Sequence, residues 1–103
     1  MAQDYRSLDS FPAIKTFTAN NSTCVEIQLP SDCNQVTLAS DGHKFFVGQQ
    51  GQADGVAITT DNFFVLKDEK FVIRIGKGRN RSDSIFVQSS HATDEISVML
   101  EEV

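Results

Sequence analysis

The fold is decided by the stretch Glu95-Ile96-Ser97-Val98-Met99-Leu100-Glu101-Glu102. Three apolar residues, Ile96, Val98 and Leu100, alternate here with Ser97, Met99 and Glu101. Successive side chains of a β-strand point to opposite faces, so this period of two is typical of a half-buried strand. We therefore predict that the domain closes with a strand.

The same alternation recurs upstream in short segments that are separated by turn residues. It predicts strands over residues 13–18, 23–29, 35–40, 43–48, 71–75 and 84–89, with two shorter strands between 56 and 66. Asp41-Gly42 is a hairpin signal, so residues 35–40 and 43–48 are expected to pair as a hairpin. No segment has the period of an amphipathic helix. The pattern favours an all-β chain, a single antiparallel β-sandwich of jelly-roll or immunoglobulin-like type.

The N-terminal residues lack this alternation. Tyr5, Leu8 and Phe11 are isolated apolar residues in a polar segment that ends at Pro12. We predict an extended N-terminal arm over residues 1–12 and the β-sandwich domain over residues 13–103. A terminal segment stays ordered only when it is docked, so the arm is expected to cover either its own sheet or a neighbouring subunit.

Length and charge limit the classes of function. The chain has 103 residues, 40% of them hydrophobic, and a net charge of -5, which is typical of one soluble globular domain. A negative net charge repels phosphate backbones, so nucleic acid is not an expected partner. The sequence also lacks the apolar run of a signal peptide or of a membrane-spanning helix, so no membrane partner is expected.

The residues that could perform chemistry are scattered along the sequence. Zinc sites usually have paired ligands two to four residues apart, and Cys24, Cys33, His43 and His91 form no such pair. The two histidines are interpreted as solvated loop residues and the two cysteines as reduced thiols. A nucleophile elbow of the form Gly-x-Ser-x-Gly is missing. We predict a non-enzymatic protein with no catalytic residue, metal or cofactor.

A basic loop stands out from the acidic background. Lys77, Arg79 and Arg81 lie within residues 76–82, but the glycine spacing is not that of a phosphate-binding loop and a strand follows instead of a helix. Arg79 and Arg81 are predicted to make salt-sensitive contacts with an acidic partner.

Four apolar residues occupy positions that should point away from the core. If the alternating partners of Phe46, Val72, Phe86 and Met99 point inward, these four point outward. Four such residues on separate strands could form a patch that marks a protein interface. The predicted interface residues are therefore Tyr5, Leu8, Phe11, Phe46, Val72, Arg79, Arg81, Phe86 and Met99.

Taken in order, several motifs resemble those of small β-sandwich structural proteins of tailed-bacteriophage virions. The resemblance covers about residues 23–102 and is carried by Ile27-Gln28-Leu29-Pro30-Ser31, Val36-Thr37-Leu38, Phe45-Phe46-Val47-Gly48, Asp54-Gly55-Val56-Ala57, Ile85-Phe86-Val87-Gln88-Ser89-Ser90 and the closing strand. It implies a capsid decoration or cement protein, or another head or tail component, located in a virion assembled in the host cytoplasm. The implied partners are the major capsid protein or other virion proteins, and further copies of the chain, with a trimer favoured. The basic loop is not a mark of that family.

Two other functions stay open at this point. A carbohydrate-binding or receptor-binding module is compatible with a β-sandwich, although no Trp and a single Tyr provide few aromatic platforms. A small cupin-like enzyme would need histidines and carboxylates on inward positions.

Overall fold

The computed structural model describes residues 2–40, 42–48, 63–66, 71–75 and 83–103, and for 63–66 only the backbone. Every regular element in these residues is a β-strand. The strands are β1 (Gln3–Asp4), β2 (Ala13–Ala19), β3 (Val25–Gln28), β4 (Gln35–Ser40), β5 (Phe45–Gly48), β6 (Phe63–Leu66), β7 (Phe71–Arg74), β8 (Ser84–Ser89) and β9 (Asp94–Glu101).

The strands form two sheets. One has five strands in the order β1-β3-β8-β5-β6, and the other has four in the order β2-β9-β4-β7. The predicted all-β class with two sheets is confirmed. Each described pair of strands is antiparallel except β1 with β3, which is parallel. The predicted antiparallel arrangement of the sandwich holds for every described pair from β2 onward, and the parallel pair involves β1, within the residues predicted to form the arm.

The pairing from β2 onward is nested. The first strand of this set pairs with the last, β2 with β9, and then β3 pairs with β8, β4 with β7 and β5 with β6. One long antiparallel ribbon is thus folded over on itself. Two further pairs, β9 with β4 and β8 with β5, join successive turns of the ribbon into the two sheets.

The core lies between the sheets, and β9 is central to it. Ile96, Val98 and Leu100 are fully buried, whereas Glu95 and Ser97 are exposed. Strand β9 lies between two neighbouring strands, so its backbone is hydrogen-bonded on both sides. Its two faces differ in burial, because one faces the core and the other faces away from it. Burying each such side chain contributes about 1.5–3 kcal/mol. The predicted closing strand is confirmed, with its inward residues as expected.

The predicted hairpin of residues 35–40 and 43–48 is wrong. Both strands form, but β4 belongs to the four-stranded sheet and β5 to the five-stranded sheet. Leu38 and Phe45 are both fully buried, and they reach the core from opposite sheets. Gly42 has a φ of 82°, and the chain passes here from one sheet to the other. Alternation predicts which face of a strand is buried, but it does not predict which other strand pairs with it.

The N-terminal segment packs on its own chain. Strand β1 adds to the edge of the five-stranded sheet, and the Tyr5 N–H donates to the Gln28 carbonyl at 3.0 Å. Tyr5 is buried, and Leu8 and Phe11 pack against the same core. The Arg6 guanidinium donates to both carboxylate oxygens of Asp4, at 2.9 and 2.8 Å, and this contact holds the pKa of Asp4 at about 2. Of the two predicted positions for the arm, this is the intramolecular one.

Candidate interaction surface

One row of side chains crosses the outer face of the four-stranded sheet. The register pairs Ile14 of β2 with Met99 of β9, Met99 with Thr37 of β4, and Thr37 with Val72 of β7. Residues that pair in this way lie side by side on one face. Ile14 is 69% exposed and Val72 is 47% exposed, and Met99 and Thr37 between them are half-buried. We call these four residues the outer row.

The rest of this outer face carries small side chains in one row and charged side chains towards its ends. The next row contains Thr16, Ser97 and Ala39, all small side chains. On the other side of the outer row, Gln35 Nε2 donates to Glu101 Oε1 at 3.0 Å, and Arg74 pairs with Gln35 across the strands. Small side chains allow another surface to approach closely, so the face is suited to contact with a second sheet or a flat protein surface.

The four predicted outward residues do not form one patch. Val72 and Met99 belong to the outer row, but Phe46 and Phe86 lie in the other sheet, on β5 and β8. The two pairs are therefore on different sheets of the molecule. The alternation gave the correct face for each residue, but it contained no information about which sheet each strand joins.

Phe86 also differs from its predicted exposure, because it is only 5% exposed. Its neighbours on that face include Glu26, and Cys24 and Gln88 on the same side are buried as well. Phe46 is half-buried, and the Lys44 ammonium lies 6.0 Å from its ring centroid. Phe86 thus contributes to packing within the chain, whereas Phe46 presents a partly accessible ring.

The remaining predicted interface residues have two different outcomes. Tyr5, Leu8 and Phe11 contact their own core, as described above, and burial raises the pKa of the Tyr5 hydroxyl. Arg79 and Arg81 lie outside the described residues, as does Lys77. Their contacts with an acidic partner stay a prediction.

A polar cluster closes one end of the core. The carboxylate of Asp94, at the start of β9, accepts the Ser89 hydroxyl at 2.6 Å and the Ser40 hydroxyl at 2.9 Å. His43 Nδ1 lies 3.2 Å from the same carboxylate, and the His43 and His91 rings stack with centroids 4.2 Å apart. Ser40 comes from one sheet and Ser89 from the other, so the cluster links the two sheets at this end.

The electrostatics of this cluster favour a charged Asp94. Burial alone would raise the pKa of Asp94, but the hydrogen bonds from Ser89, Ser40 and His43 outweigh it and the pKa is lowered. A buried carboxylate that accepts several hydrogen bonds keeps its charge without a large penalty. The buried negative charge of Asp94 is therefore stabilised by the hydrogen bonds that its carboxylate accepts.

Sequence reasoning missed this cluster, because it treated the two histidines as scattered. The predicted loop setting is correct for both, and His91 is exposed, but the two rings stack on each other and are not scattered. A signal was present, since Asp94 continues the inward series Ile96, Val98 and Leu100. A carboxylate at an inward position requires hydrogen-bond donors around it.

The geometry of the cluster limits its chemistry. The stacked rings are inclined by only 17°, so the in-plane lone pairs of the two imidazoles run side by side and do not converge on one ion. The described residues contain no group of three or more His, Cys, Asp and Glu side chains that could hold a metal ion. Both serine hydroxyls donate to Asp94 and are not aligned with an imidazole nitrogen as a nucleophile would be.

The two cysteines are buried, and each sulfur has an oxygen acceptor nearby. Cys24 Sγ lies 3.7 Å from Gln88 Oε1, and Cys33 Sγ lies 3.5 Å from the Gln35 carbonyl. A thiol can donate such a weak hydrogen bond, which fits the predicted reduced state.

Comparison with protein-family models, with curated proteins and with solved structures gives no significant match. In the described part of the chain, no helix is long and apolar enough to cross a membrane.

Proposed function

We propose that this chain is a non-enzymatic structural protein of a tailed-bacteriophage virion, a capsid decoration or cement protein that stabilises the head by bridging capsid subunits. Its partners would be the major capsid protein or other virion proteins, together with further copies of itself. Assembly would take place in the host cytoplasm, and the protein would act in the virion.

The nested strand order is the main support for this proposal. Numbered from β2, the eight strands follow the orders 1-8-3-6 and 2-7-4-5 in the two sheets. This order fits a jelly roll, in which a ribbon of four antiparallel pairs is rolled into two sheets. Jelly rolls occur in viral capsid proteins, lectins and cupins, so the fold is an analogy that narrows the function without fixing it.

Residue chemistry favours the first of these three classes. A lectin site usually presents aromatic side chains to a sugar, but the only tyrosine, Tyr5, is buried and the chain has no Trp. The four-stranded sheet presents the outer row, whose exposed Ile14 and Val72 have no role in the core. Exposed apolar side chains that share one face of a sheet favour a surface that binds protein.

The proposal gives residues 1–12 and the basic loop a role in binding to the head. The arm would contact neighbouring subunits with the side chains that its own core leaves accessible, and Phe46 would contact capsid protein. Arg79 and Arg81 would pair with carboxylates at the rim of that contact. Contacts at a rim affect the salt dependence of association more than the affinity itself.

Co-sedimentation with phage heads tests the function. The purified chain should bind heads from which the native decoration protein has been removed. Replacing both loop arginines, Arg79→Ala and Arg81→Ala, should make binding less sensitive to salt. The double variant Arg79→Lys and Arg81→Lys is the matched control, because it keeps both charges and should leave the salt dependence unchanged. A chain that ignores heads and binds glycans would overturn the proposal.

A further inference from the structure

We infer that His43 and His91 form a pH-sensitive switch that separates two chain connections when both imidazoles are protonated. The connection from β4 to β5 contains His43, and the connection from β8 to β9 contains His91. The two rings stack with their centroids 4.2 Å apart and are inclined by 17°. We call these two residues the histidine pair. Its opening takes place within one chain and does not depend on the proposed function.

A backbone contact holds the two connections together next to the histidine pair. The Ser90 N–H donates to the Lys44 carbonyl at 2.9 Å, which links the two connections directly. Ser90 precedes His91 and Lys44 follows His43 in the sequence, so this hydrogen bond depends on the same approach of the connections as the ring stack does. Separation of the rings should therefore break it.

The hydrogen-bond partners of the rings determine where a further proton binds. His43 Nδ1 lies 3.2 Å from Asp94 Oδ1, and His91 Nδ1 lies 2.7 Å from the Thr93 carbonyl oxygen. A carboxylate and a carbonyl oxygen are acceptors, so each Nδ1 carries a hydrogen. The Thr93 N–H also lies 3.3 Å from His91 Nδ1, but this contact is the longer of the two. The remaining position for a proton is Nε2 in both rings.

Both rings are accessible to protons in the folded chain. The His43 side chain is 35% exposed, and His91 is exposed. Imidazole is the side chain that normally changes its charge between about pH 5 and about pH 8. Mild acid can therefore charge both rings while the sheets stay folded.

The carboxylate of Asp94 balances one imidazolium but not two. Burial would raise the pKa of Asp94, but the hydrogen bonds that its carboxylate accepts lower the pKa, so the carboxylate keeps its charge in mild acid. A single imidazolium at His43 pairs with this charge, and its ring can also stack on a neutral ring. A second proton places two like charges on rings 4.2 Å apart, and like charges at this distance oppose each other.

The other charged residues near the pair do not provide a second counter-charge. Glu95 follows Asp94 but lies on the outer face of β9, where its carboxylate accepts the Thr18 hydroxyl at 2.8 Å. Lys44 is exposed and adds a positive charge. Asp41 lies outside the described residues. Among the residues that the structure describes, Asp94 is thus the carboxylate in contact with the pair.

Acid should therefore shift the chain from a closed form, with stacked rings, to an open form in which the rings are apart. The open form holds two protons without the repulsion, so it binds more protons than the closed form. A form that binds more protons is favoured as the pH falls. Opening of this kind is local and leaves the core strands folded.

Amide hydrogen exchange measured by NMR tests the switch. The protection factor of the Ser90 amide should fall at least about 5-fold between about pH 8 and about pH 5, the effect of two charges about 4 Å apart in water. The Asn34 amide is the internal control, because it donates to the Glu101 carbonyl at 2.9 Å at the opposite end of β9. Its protection factor should not change over this range.

The variant His91→Phe separates the charge of the pair from its packing. It keeps an aromatic ring on His43 but leaves a single imidazole to be protonated, so the Ser90 amide should stay protected in mild acid. His91 is exposed, so the variant should fold. Salt gives a second test on the unaltered chain: at about 1 M, where the Debye length is about 3 Å, most of the protection of Ser90 in mild acid should return.

Several results would overturn the switch. The Ser90 amide could be equally protected at both pH values, could be unprotected even at the higher pH, or could lose its protection equally in His91→Phe. A parallel loss of protection at Asn34 would show that acid unfolds the whole chain and does not open this contact alone.

Discussion

His43 Nδ1 lies 3.2 Å from a carboxylate oxygen of Asp94, whose side chain is fully buried. The same carboxylate accepts hydroxyl hydrogen bonds from Ser40 and Ser89, which belong to opposite sheets. The Ser40 and Ser89 oxygens in turn accept the backbone N–H groups of His43 and His91. One buried charge thus orders the two connections that cross between the sheets at this end of the molecule.

Replacing this charge should destabilise the fold. Asp94→Ala would leave the hydroxyls of Ser40 and Ser89 without their acceptor, and we expect it to lower the free energy of unfolding by about 2–4 kcal/mol. Asp32→Ala, at an exposed turn position, is the control and should change it by less than about 0.5 kcal/mol. Urea denaturation measures both values. Equal stability of the two variants would show that the cluster contributes nothing.

The lowered pKa of Asp94 predicts how stability depends on pH. An unfolded aspartate titrates near pH 3.9, and the folded carboxyl holds its proton less tightly. Its contribution is therefore fully present above about pH 4 and is lost as the pH falls through the lower folded value. Asp94→Asn should remove this part of the acid dependence, so its stability should fall less steeply below pH 4 than that of the unaltered chain. Thermal unfolding in a pH series measures the two slopes, and parallel slopes would contradict the assignment.

The sequence was sufficient to predict individual strands but not their neighbours. Alternation placed Ile96, Val98 and Leu100 inward because burial acts on each residue locally. The partner of a strand depends on how distant segments pack, and for that reason the Asp41-Gly42 sequence predicts a hairpin that does not form. The same limit produced the error about Phe46 and Met99: both point outward, but from different sheets.

The candidate site was predictable to a similar degree. Met99 and Val72 could be assigned to an outward face from alternation alone, but only the register between strands shows that they share one row with Ile14. The Asp94 cluster required contacts between residues about fifty positions apart in sequence, such as Ser40 and Asp94. No local pattern specifies such contacts. A carboxylate at an inward position does indicate that hydrogen-bond donors must surround it.

Substitution of Gly42 should lower the stability of the fold because of the backbone conformation at this position, and not because a side chain would lack space. Its φ of 82° lies in the left-handed region, and a Cβ added there would meet nothing within 4 Å. Gly42→Ala should therefore cost about 1 kcal/mol from backbone strain alone. Gly42→Asn should cost less, because Asn tolerates this region better than other residues with a side chain. Comparison of the urea midpoints of the two variants checks the order, and an Asn variant less stable than the Ala variant would contradict it.

Lys15 should protect the edge of the four-stranded sheet from aggregation. Among the described strands, β2 lies at one edge of the four-stranded sheet over seven residues, and the inward Lys15 is the one charged residue in its β-prone sequence. We expect Lys15→Val to leave the free energy of unfolding within about 1 kcal/mol of the unaltered chain but to increase aggregation during prolonged incubation. Light scattering and thioflavin fluorescence would follow the process. Lys15→Arg keeps the charge and should stay as soluble as the unaltered chain. If Lys15→Val were equally soluble, the barrier to edge pairing would have to lie elsewhere.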